Sequence, residues 1–178
     1  MYKPREDSYL LSSALAVYLK DKDRRINILD MGSGSGIQAE TCIKLRFKNV
    51  KAADIDEEAI KTLRKKKFKA IKSNLFSDIK EKFDLIIFNP PYLPEHKYDR
   101  EKDTTGGKEG YETIVRFLKQ AKKHLNKNGA ILLLFSSFSK PSIIKREAKK
   151  LGYNIKLLAK KRIFFEKLYV CLLSVPIL

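Results

Sequence analysis

The fold of this chain is decided by residues 83–94, which read FDLIIFNPPYLP. The apolar run from Asp84 to Phe88 predicts a buried strand, because short apolar runs bounded by turn residues are typical of parallel sheets. Pro90 and Pro91 then remove two backbone donors and restrict φ, so the chain leaves the strand through a stiff, extended turn. In open parallel sheets, ligands bind at the carboxyl ends of the strands. We therefore expect functional side chains at this corner.

The residues of this turn suit the recognition of a flat nitrogen group. Asn89 offers a side-chain carbonyl that accepts from an N–H, and Pro90 offers a backbone carbonyl. Tyr92, which follows Pro91, offers an aromatic face on which a planar amide or base can stack. Two acceptors on one –NH2 would orient its lone pair and stabilise positive charge that develops on nitrogen during alkylation. The alternative is a Pro-Pro turn that only ends a strand.

A second turn, rich in glycine, follows an earlier predicted strand. Ile26–Asp30 reads as that strand, and Asp30–Gly36 reads DMGSGSG before a predicted helix over Ile37–Phe47. Glycines such as Gly32 and Gly34 allow a tight turn in which backbone N–H groups approach a ligand closely. The spacing acidic-x-G-x-G-x-G differs from the dinucleotide fingerprint G-x-G-x-x-G. It resembles the S-adenosylmethionine loop of class I methyltransferases.

Two later segments supply candidate contacts to an adenosine ligand. Val50–Asp56 reads as a second strand that ends in acids, and a carboxylate there reaches ribose hydroxyls in βαβ nucleotide sites. Asp54 is the candidate ligand, whereas Asp56 suits the N-cap of the next helix. Lys69–Lys72 is a short third strand, after which Asn74 would lie at an adenine edge. Interpreted locally, Asn74 is only a turn residue.

The remaining segments alternate between helix and strand. The predicted helices cover 11–19, 57–67, 114–125 and 141–151, and the predicted later strands cover 130–135, 153–159 and 168–174. Asp7 or Ser8 would cap the first helix. The last two strands are expected to pair antiparallel at one edge. This alternation predicts a doubly wound, mostly parallel α/β sheet in a single domain over residues 1–178.

Two loops interrupt this alternation. Asn128-Gly129 would end the helix over 114–125. The long polar loop Leu93–Gly110 is expected to act as a lid on the substrate side, because structureless loops of that length in compact domains are usually functional or disordered. His96 lies in this loop, and we assign it no role.

The composition predicts one globular domain with a strong positive charge. The chain has 178 residues, and 38 Lys+Arg against 21 Asp+Glu give a net charge of +17. This charge favours a polyanionic neighbour such as RNA or the ribosome; the alternative is a lysine-rich protein whose lysines coat its helices. Cys42 and Cys171 lie in apolar segments without metal-ligand spacing, which predicts buried free thiols and no metal. With no apolar run long enough for a membrane and no signal-peptide core, we expect a cytoplasmic protein.

Four segments of the sequence resemble one known family. They are YKPREDS at 2–8, the glycine loop, NPPY at 89–92, and TTGGKEG at 104–110. They resemble the HemK-like glutamine methyltransferases, in the short archaeal and eukaryotic branch that acts on release factors. The proline turn is shared with DNA and RNA amino-methyltransferases, whereas the Pro-x-Glu-Asp-Ser arm and the Gly-Gly-x-x-Gly segment are more specific. The resemblance covers nearly the whole chain and implies a seven-stranded, Rossmann-like sheet.

The resemblance implies methyl transfer from S-adenosylmethionine to the glutamine side-chain amide in the Gly-Gly-Gln loop of a class I release factor. The implied cofactor site consists of Ser8, Asp30, Gly32, Gly34, Asp54, Asn74, Leu75 and Asn89. Asn89 and the Pro90 carbonyl would hold the substrate amide, with Pro91 and Tyr92 beside it. The family usually has Asp where Asn74 stands, and this departure would weaken adenine binding.

The resemblance also implies a partner, and rival functions stay open beside it. The branch works with a small zinc-binding activator subunit, which would cover an exposed strand edge near Lys69–Lys72. One rival is methylation of an exocyclic base amine in DNA or RNA, which the net charge of +17 favours. Against it, no segment reads as a target-recognition domain. A second rival is a non-catalytic module that binds S-adenosylmethionine or RNA.

Overall fold

The computed structural model of the chain describes residues 3–95 and 105–176. The strands are β1 Ile28–Met31, β2 Val50–Asp54, β3 Lys69–Lys72, β4 Phe83–Phe88, β5 Leu125–Ser136, β6 Asn154–Ile163 and β7 Glu166–Ser174. The helices are α1 Glu6–Leu19, α2 Ile37–Lys44, α3 Glu57–Lys65, α4 Glu112–Ala121 and α5 Pro141–Lys150, with short 3-10 turns at Lys122–His124 and Ser137–Ser139.

The strands of the described residues form one seven-stranded sheet in the order β3-β2-β1-β4-β5-β7-β6. The first five strands in this order are parallel, and β7 pairs antiparallel with both β5 and β6. This confirms the predicted α/β fold with an antiparallel pair of strands at one edge. Because β1 and β4 are neighbours, their carboxyl ends bring the glycine loop and the proline turn together.

Helices cover both faces of the sheet, as the alternation of elements predicts. Side chains of α1 and α2 pack on the face that includes Ile28, Leu85 and Ile87. Side chains of α4 and α5 pack on the opposite face, with Ile86 and Phe88. Neighbouring residues of the central strands therefore point into different hydrophobic cores, which explains why β4 reads as a continuous apolar run.

Local sequence explains where several helices begin and end. Asp56 caps α3 as predicted, because its carboxylate accepts from the Glu58 N–H at 3.0 Å. Acidic residues in the first turn of α3 and basic residues in its last turn complement the helix dipole. Pro141 is the first residue of α5. Its missing N–H costs no hydrogen bond there, because the first N–H groups of a helix have no acceptor within the helix.

The predicted boundaries of two helices are wrong. Helix α1 begins at Glu6 with Arg5 at the N-cap, so Asp7 and Ser8 lie inside the first turn and are buried. Neither caps the helix, because the body of the fold covers both side chains.

Helix α4 ends at Ala121 rather than at Asn128-Gly129. Strand β5 already begins at Leu125, which is buried and pairs with Phe83. Asn128 and Gly129 instead form an irregularity within β5, where the register with β4 shifts. Tertiary pairing here overrides the helical periodicity that Leu125 continues.

Two further expectations concern burial and membranes. Cys42 and Cys171 are buried and free, as predicted, and burial raises the pKa of both thiols. Within residues 3–95 and 105–176, no helix has the length and apolarity needed to cross a membrane.

Candidate functional site

A cavity of about 500 Å³ opens at the carboxyl ends of the central strands. Its wall includes every site residue predicted from the sequence: Ser8, Asp30, Gly32, Gly34, Asp54, Asn74, Leu75, Asn89, Pro90, Pro91 and Tyr92. The parallel topology accounts for this convergence, since each residue follows a strand of the same sheet or belongs to the helix that packs across its edge.

The glycine loop and the end of β2 form one side of the cavity. Asp54 accepts from the Gly34 N–H at 2.8 Å and from the Asp56 N–H at 2.9 Å. Gly32 and Gly34 both have positive φ, and a Cβ on Gly32 would lie 3.3 Å from the Phe88 ring. Burial raises the pKa of Asp54, while the two N–H groups favour its ionised form. The carboxylate is therefore fixed on the cavity wall at the tip of β2.

Asp30 lies beneath the same loop, where it is almost fully buried. Its carboxylate accepts from the Ala39 N–H at 3.1 Å, which ties the end of β1 to helix α2. Burial raises the pKa of Asp30 to about 7, and the nearby Asp54 adds to this effect. Asp30 thus supports the loop and lines the floor of the cavity.

Asn74 and Leu75 line another part of the wall, but the acceptor of Asn74 already has a partner. Arg116 Nη2, on α4, donates to Asn74 Oδ1 at 3.4 Å. Leu75 has a φ of +53° and is buried. The Ser73 hydroxyl donates to the Leu75 carbonyl at 2.6 Å and holds this turn. Asn74 thus lines the cavity, while its contact with adenine stays a prediction.

The proline turn brings Asn89 against helix α1. Asn89 Nδ2 donates to Asp7 Oδ2 at 2.9 Å, and the Tyr92 hydroxyl donates to the same oxygen at 3.5 Å. Because a carboxylate only accepts, this contact turns the amide so that Oδ1 faces away from Asp7. Asn89 Oδ1 is shielded from solvent and has no hydrogen-bond partner among the described residues. The turn thus holds an acceptor without a donor, in a residue that lines the cavity.

Asp7 is the site residue that sequence reasoning missed. We expected it to cap α1, yet it is only 4% exposed and contacts a residue 82 positions away. The available signal was its place in the Pro-x-Glu-Asp-Ser arm at 4–8, which the family resemblance marks as specific.

The segment around Gly106 braces the proline turn from behind. The Gly106 N–H donates to the Leu93 carbonyl at 2.9 Å, and a Cβ on Gly106 would lie 2.6 Å from the Pro91 carbonyl oxygen. A Cβ on Gly110 would similarly lie 2.6 Å from the Tyr92 carbonyl oxygen. These glycines let two backbones pack closely and make the turn rigid.

The loop that we predicted to be a lid, Leu93–Gly110, is described only at its two ends. His96 and the rest of 96–104 lie outside the described residues. The described ends of the loop are paired with each other, since the Glu95 N–H donates to the Gly107 carbonyl at 3.1 Å. The lid stays a prediction for the central part.

No group of three or more His, Cys, Asp or Glu side chains lies close enough to hold an ion within residues 3–95 and 105–176. The site is built instead from amide, carboxylate and backbone groups.

Comparisons with known proteins show the family of the chain. The model of the methyltransferase small domain matches residues 8–164 of the chain. A Methanocaldococcus jannaschii protein that carries the name of a protein N5-glutamine methyltransferase is 33% identical over 182 residues, which cover 96% of this chain and 89% of that protein. A Haemophilus influenzae protein named ribosomal RNA small subunit methyltransferase C is 33% identical over 138 residues, which cover 72% of this chain and 38% of that protein.

A solved structure agrees with the fold. A chain from the E. cuniculi Mtq2–Trm112 complex, which methylates the eRF1 translation termination factor, superposes with a TM-score of 0.81. It is 24% identical, and the match covers 98% of both chains. At this identity the likeness speaks for the fold alone. The model of the methyltransferase small domain matches residues 8–164, and the Methanocaldococcus jannaschii relative is covered over 89% of its length. The chain therefore belongs to the methyltransferase small domain family.

Proposed function

We propose that this chain is an S-adenosylmethionine-dependent methyltransferase of the glutamine side-chain amide in the Gly-Gly-Gln loop of a class I release factor. The observation that carries the proposal is Asn89 Oδ1, which has no hydrogen-bond partner within residues 3–95 and 105–176 and belongs to a residue that lines a cavity of about 500 Å³. A buried acceptor without a donor costs about 1–3 kcal/mol. A bound N–H donor offsets that cost, so the site favours a substrate with an –NH2 group.

The residues around the cavity suit S-adenosylmethionine. The fixed carboxylate of Asp54 accepts from ribose hydroxyls, and the positive-φ glycines Gly32 and Gly34 leave room for close approach to the loop backbone. Ser8 and Asp30 line the same cavity, and Asn74 and Leu75 line the part where an adenine would lie. When bound, the cofactor supplies an electrophilic methyl group on a sulfonium.

The chain's own part in the reaction is to hold the substrate amide. Asn89 Oδ1 and the Pro90 carbonyl accept from its two N–H groups, and Tyr92 packs against its flat face. These contacts would direct the nitrogen lone pair towards the methyl group and stabilise the positive charge that develops on nitrogen as the N–C bond forms and the methyl–sulfur bond breaks. One N–H proton would then leave the nitrogen for solvent, which gives the neutral methylated amide. Asp7 keeps the Asn89 amide in the orientation that this requires.

The names of two similar proteins support a glutamine substrate. The Methanocaldococcus jannaschii relative is named for N5-glutamine methylation, and the E. cuniculi complex methylates the eRF1 termination factor. A glutamine side chain is long enough to enter a cavity from a protruding loop, and it ends in the primary amide that two acceptors recognise.

The activator subunit belongs to the same proposal. Strand β3 lies at one edge of the sheet. Its end residues, Lys69 and Lys72, are exposed, and Ala70 and Ile71 between them are half-buried. An exposed edge of this kind offers unpaired backbone groups to another chain. We place a small zinc-binding activator subunit at β3, where it would cover this exposed edge.

A second candidate function is methylation of an exocyclic base amine in RNA. The net charge of +17 and the Haemophilus influenzae relative favour it. The same pair of acceptors would bind a base –NH2 and Tyr92 would stack on the base.

One experiment separates the candidates. The purified chain is incubated with methyl-labelled S-adenosylmethionine and a class I release factor, and in parallel with transfer RNA, ribosomal RNA and DNA, each with and without the activator subunit. We expect label on the release factor, abolished when the glutamine of its Gly-Gly-Gln loop is replaced by glutamate. Label on RNA alone would support the second candidate, and binding without label on any substrate would make the chain a non-catalytic module.

A further inference from the structure

The hairpin formed by β6 and β7 projects over the edge of the sheet that carries the cavity. Ser136 at the carboxyl end of β5 pairs with Leu168, so the residues of β7 before Leu168 extend past β5. Ile163 and Glu166, the last paired residues of the hairpin, line the cavity together with Leu168. The tip of the hairpin is therefore continuous with the rim of the candidate active site.

The tip itself consists of two exposed aromatic residues in a strained turn. Phe164 and Phe165 connect β6 to β7, and they are 88% and 94% exposed. Phe164 has a φ of +47°, a conformation that two-residue hairpin loops usually give to Asn, Asp or Gly. A bulky residue there is an outlier, and such strain collects at functional sites. Folding alone does not explain this choice of residues.

Four basic side chains and one carboxylate lie close to the tip in the chain. Lys160, Lys161, Arg162 and Lys167 are exposed, and no carboxylate of the described residues forms an ion pair with them. Glu166 Oε1 is shielded from solvent and has no hydrogen-bond partner among the same residues. The sequence analysis offered lysines that coat helices as one alternative and did not single out the run KKRIFFEK at 160–167.

We infer that the tip, Phe164 and Phe165 with their flanking cations, is the docking element for the folded protein that presents the target glutamine. This inference rests on the proposed function and names the surface that selects the substrate. The partner surface has an apolar pocket for the two rings, flanked by carboxylates that pair with the cations. Aromatic residues are the side chains that most often anchor protein interfaces.

Glu166 favours a polypeptide over a nucleic acid as the occupant. A carboxylate between the tip and the cavity repels a phosphate backbone, whereas it accepts from the backbone N–H groups of a peptide that enters the cavity. Basic and aromatic side chains together also suit single-stranded RNA, so RNA is tested as the other occupant.

The test compares a whole substrate with a short one. Methylation of a purified class I release factor and of a short synthetic peptide with its Gly-Gly-Gln loop is measured for the wild type, Phe164→Ala/Phe165→Ala and Leu157→Ala. Leu157 is a matched control, because it is 52% exposed on β6 but does not line the cavity. The double variant is expected to raise KM for the release factor at least tenfold. Its kcat, its kcat/KM for the peptide and its affinity for S-adenosylmethionine are expected to equal those of the wild type, and Leu157→Ala to change none of these.

The other outcomes contradict the docking role, the proposed function or both. An unchanged KM for the release factor in the double variant rejects the docking role while leaving the proposed function intact. An equal loss with the peptide also rejects it, because the tip would then act on catalysis. A loss of affinity for a fluorescent oligouridine, with unchanged KM for the release factor, makes RNA the occupant. No methylation of the release factor by the wild type, with or without the activator subunit, rejects the proposed function and the docking role together.

Discussion

The proline turn after β4 and the tip of the β6–β7 hairpin stand at the same edge of the sheet, but they are opposite in construction. The proline turn is packed on both sides, by Asp7 in front and by Gly106 behind. The hairpin tip exposes Phe164 and Phe165 almost completely and keeps one of them in a strained conformation.

This difference indicates that the proline turn and the hairpin tip have different functions. Chemistry on a small amide needs acceptors that are fixed within a fraction of an ångström, which only a braced turn provides. Selection of a large partner needs apolar surface that is free until the partner covers it. Five substitutions test this difference, beginning with the one from which we expect the largest effect.

Asn89→Ala removes the acceptor at the centre of the proline turn. We expect a loss of about 3 kcal/mol in transition-state stabilisation, the scale for one catalytic hydrogen-bonding group. The measurement is kcat for a release factor at saturating S-adenosylmethionine. Asn126→Ala is the control, because Asn126 Nδ2 donates to Asp84 at 2.8 Å at the other end of β4. Wild-type kcat in Asn89→Ala would show that the assignment of Asn89 is wrong.

Asp7→Ala removes the group that orients Asn89. We expect kcat to fall about 10- to 150-fold, the range that corresponds to a hydrogen bond to a charged group. The KM for S-adenosylmethionine is expected to change little, which distinguishes positioning from a general loss of the cofactor site. Asp84→Ala, which breaks the similar pair with Asn126, should lower stability without this fall in kcat.

Asp7→Asn tests the contact between residue 7 and Asn89 with an amide in place of the carboxylate. The new amide can donate to Asn89 Oδ1 and occupy the acceptor that the substrate needs. We therefore expect kcat at or below that of Asp7→Ala. Wild-type kcat in Asp7→Asn would show that a neutral carbonyl acceptor orients Asn89 as well as the carboxylate does.

Gly106→Ala tests the support behind the proline turn. The added Cβ would lie 2.5 Å from the Gly110 carbonyl oxygen and 2.6 Å from that of Pro91, so the backbone must shift. We expect the free energy of unfolding to fall by about 2 kcal/mol, as for other overpacked sites, and kcat to fall with it. Urea denaturation and kcat are the measurements. Gly152→Ala has a strained φ of +83° but meets only the Lys122 amine at 3.2 Å, so it should cost stability alone.

Phe164→Asn tests the hairpin tip and should have the smallest effect on the fold. Asn adopts positive φ more readily than Phe, so the free energy of unfolding is expected to rise by about 1 kcal/mol. Phe165→Asn is the control, because Phe165 does not have a positive φ and gains no such relief. A fall in the urea midpoint of Phe164→Asn would contradict the view that this residue is strained for function.

Much of the fold and of the candidate site follows from local sequence. The apolar run before Asn89 and the glycines after Asp30 identify two strand ends, and the topology of a parallel sheet places such ends at one edge. Alternation of strands and helices was enough for the doubly wound architecture. Every predicted site residue lies on the cavity wall. Asp54 and Asn89 were predicted from their positions after strands, whereas Ser8 and Leu75 were implied by the family resemblance alone.

The sequence by itself thus determined the fold class, the edge of the sheet that carries the site, and the acceptors at that edge. Those features depend on hydrophobic patterning and turn chemistry, which act over a few residues. Only the tertiary structure decided that Asp7 holds Asn89 across 82 positions and that Gly106 packs against Pro91. It also decided that Ile163 and Glu166, on either side of the turn at Phe164 and Phe165, line the cavity. These contacts are set by how the elements pack in space, and no local propensity encodes a distance between residues far apart in the chain.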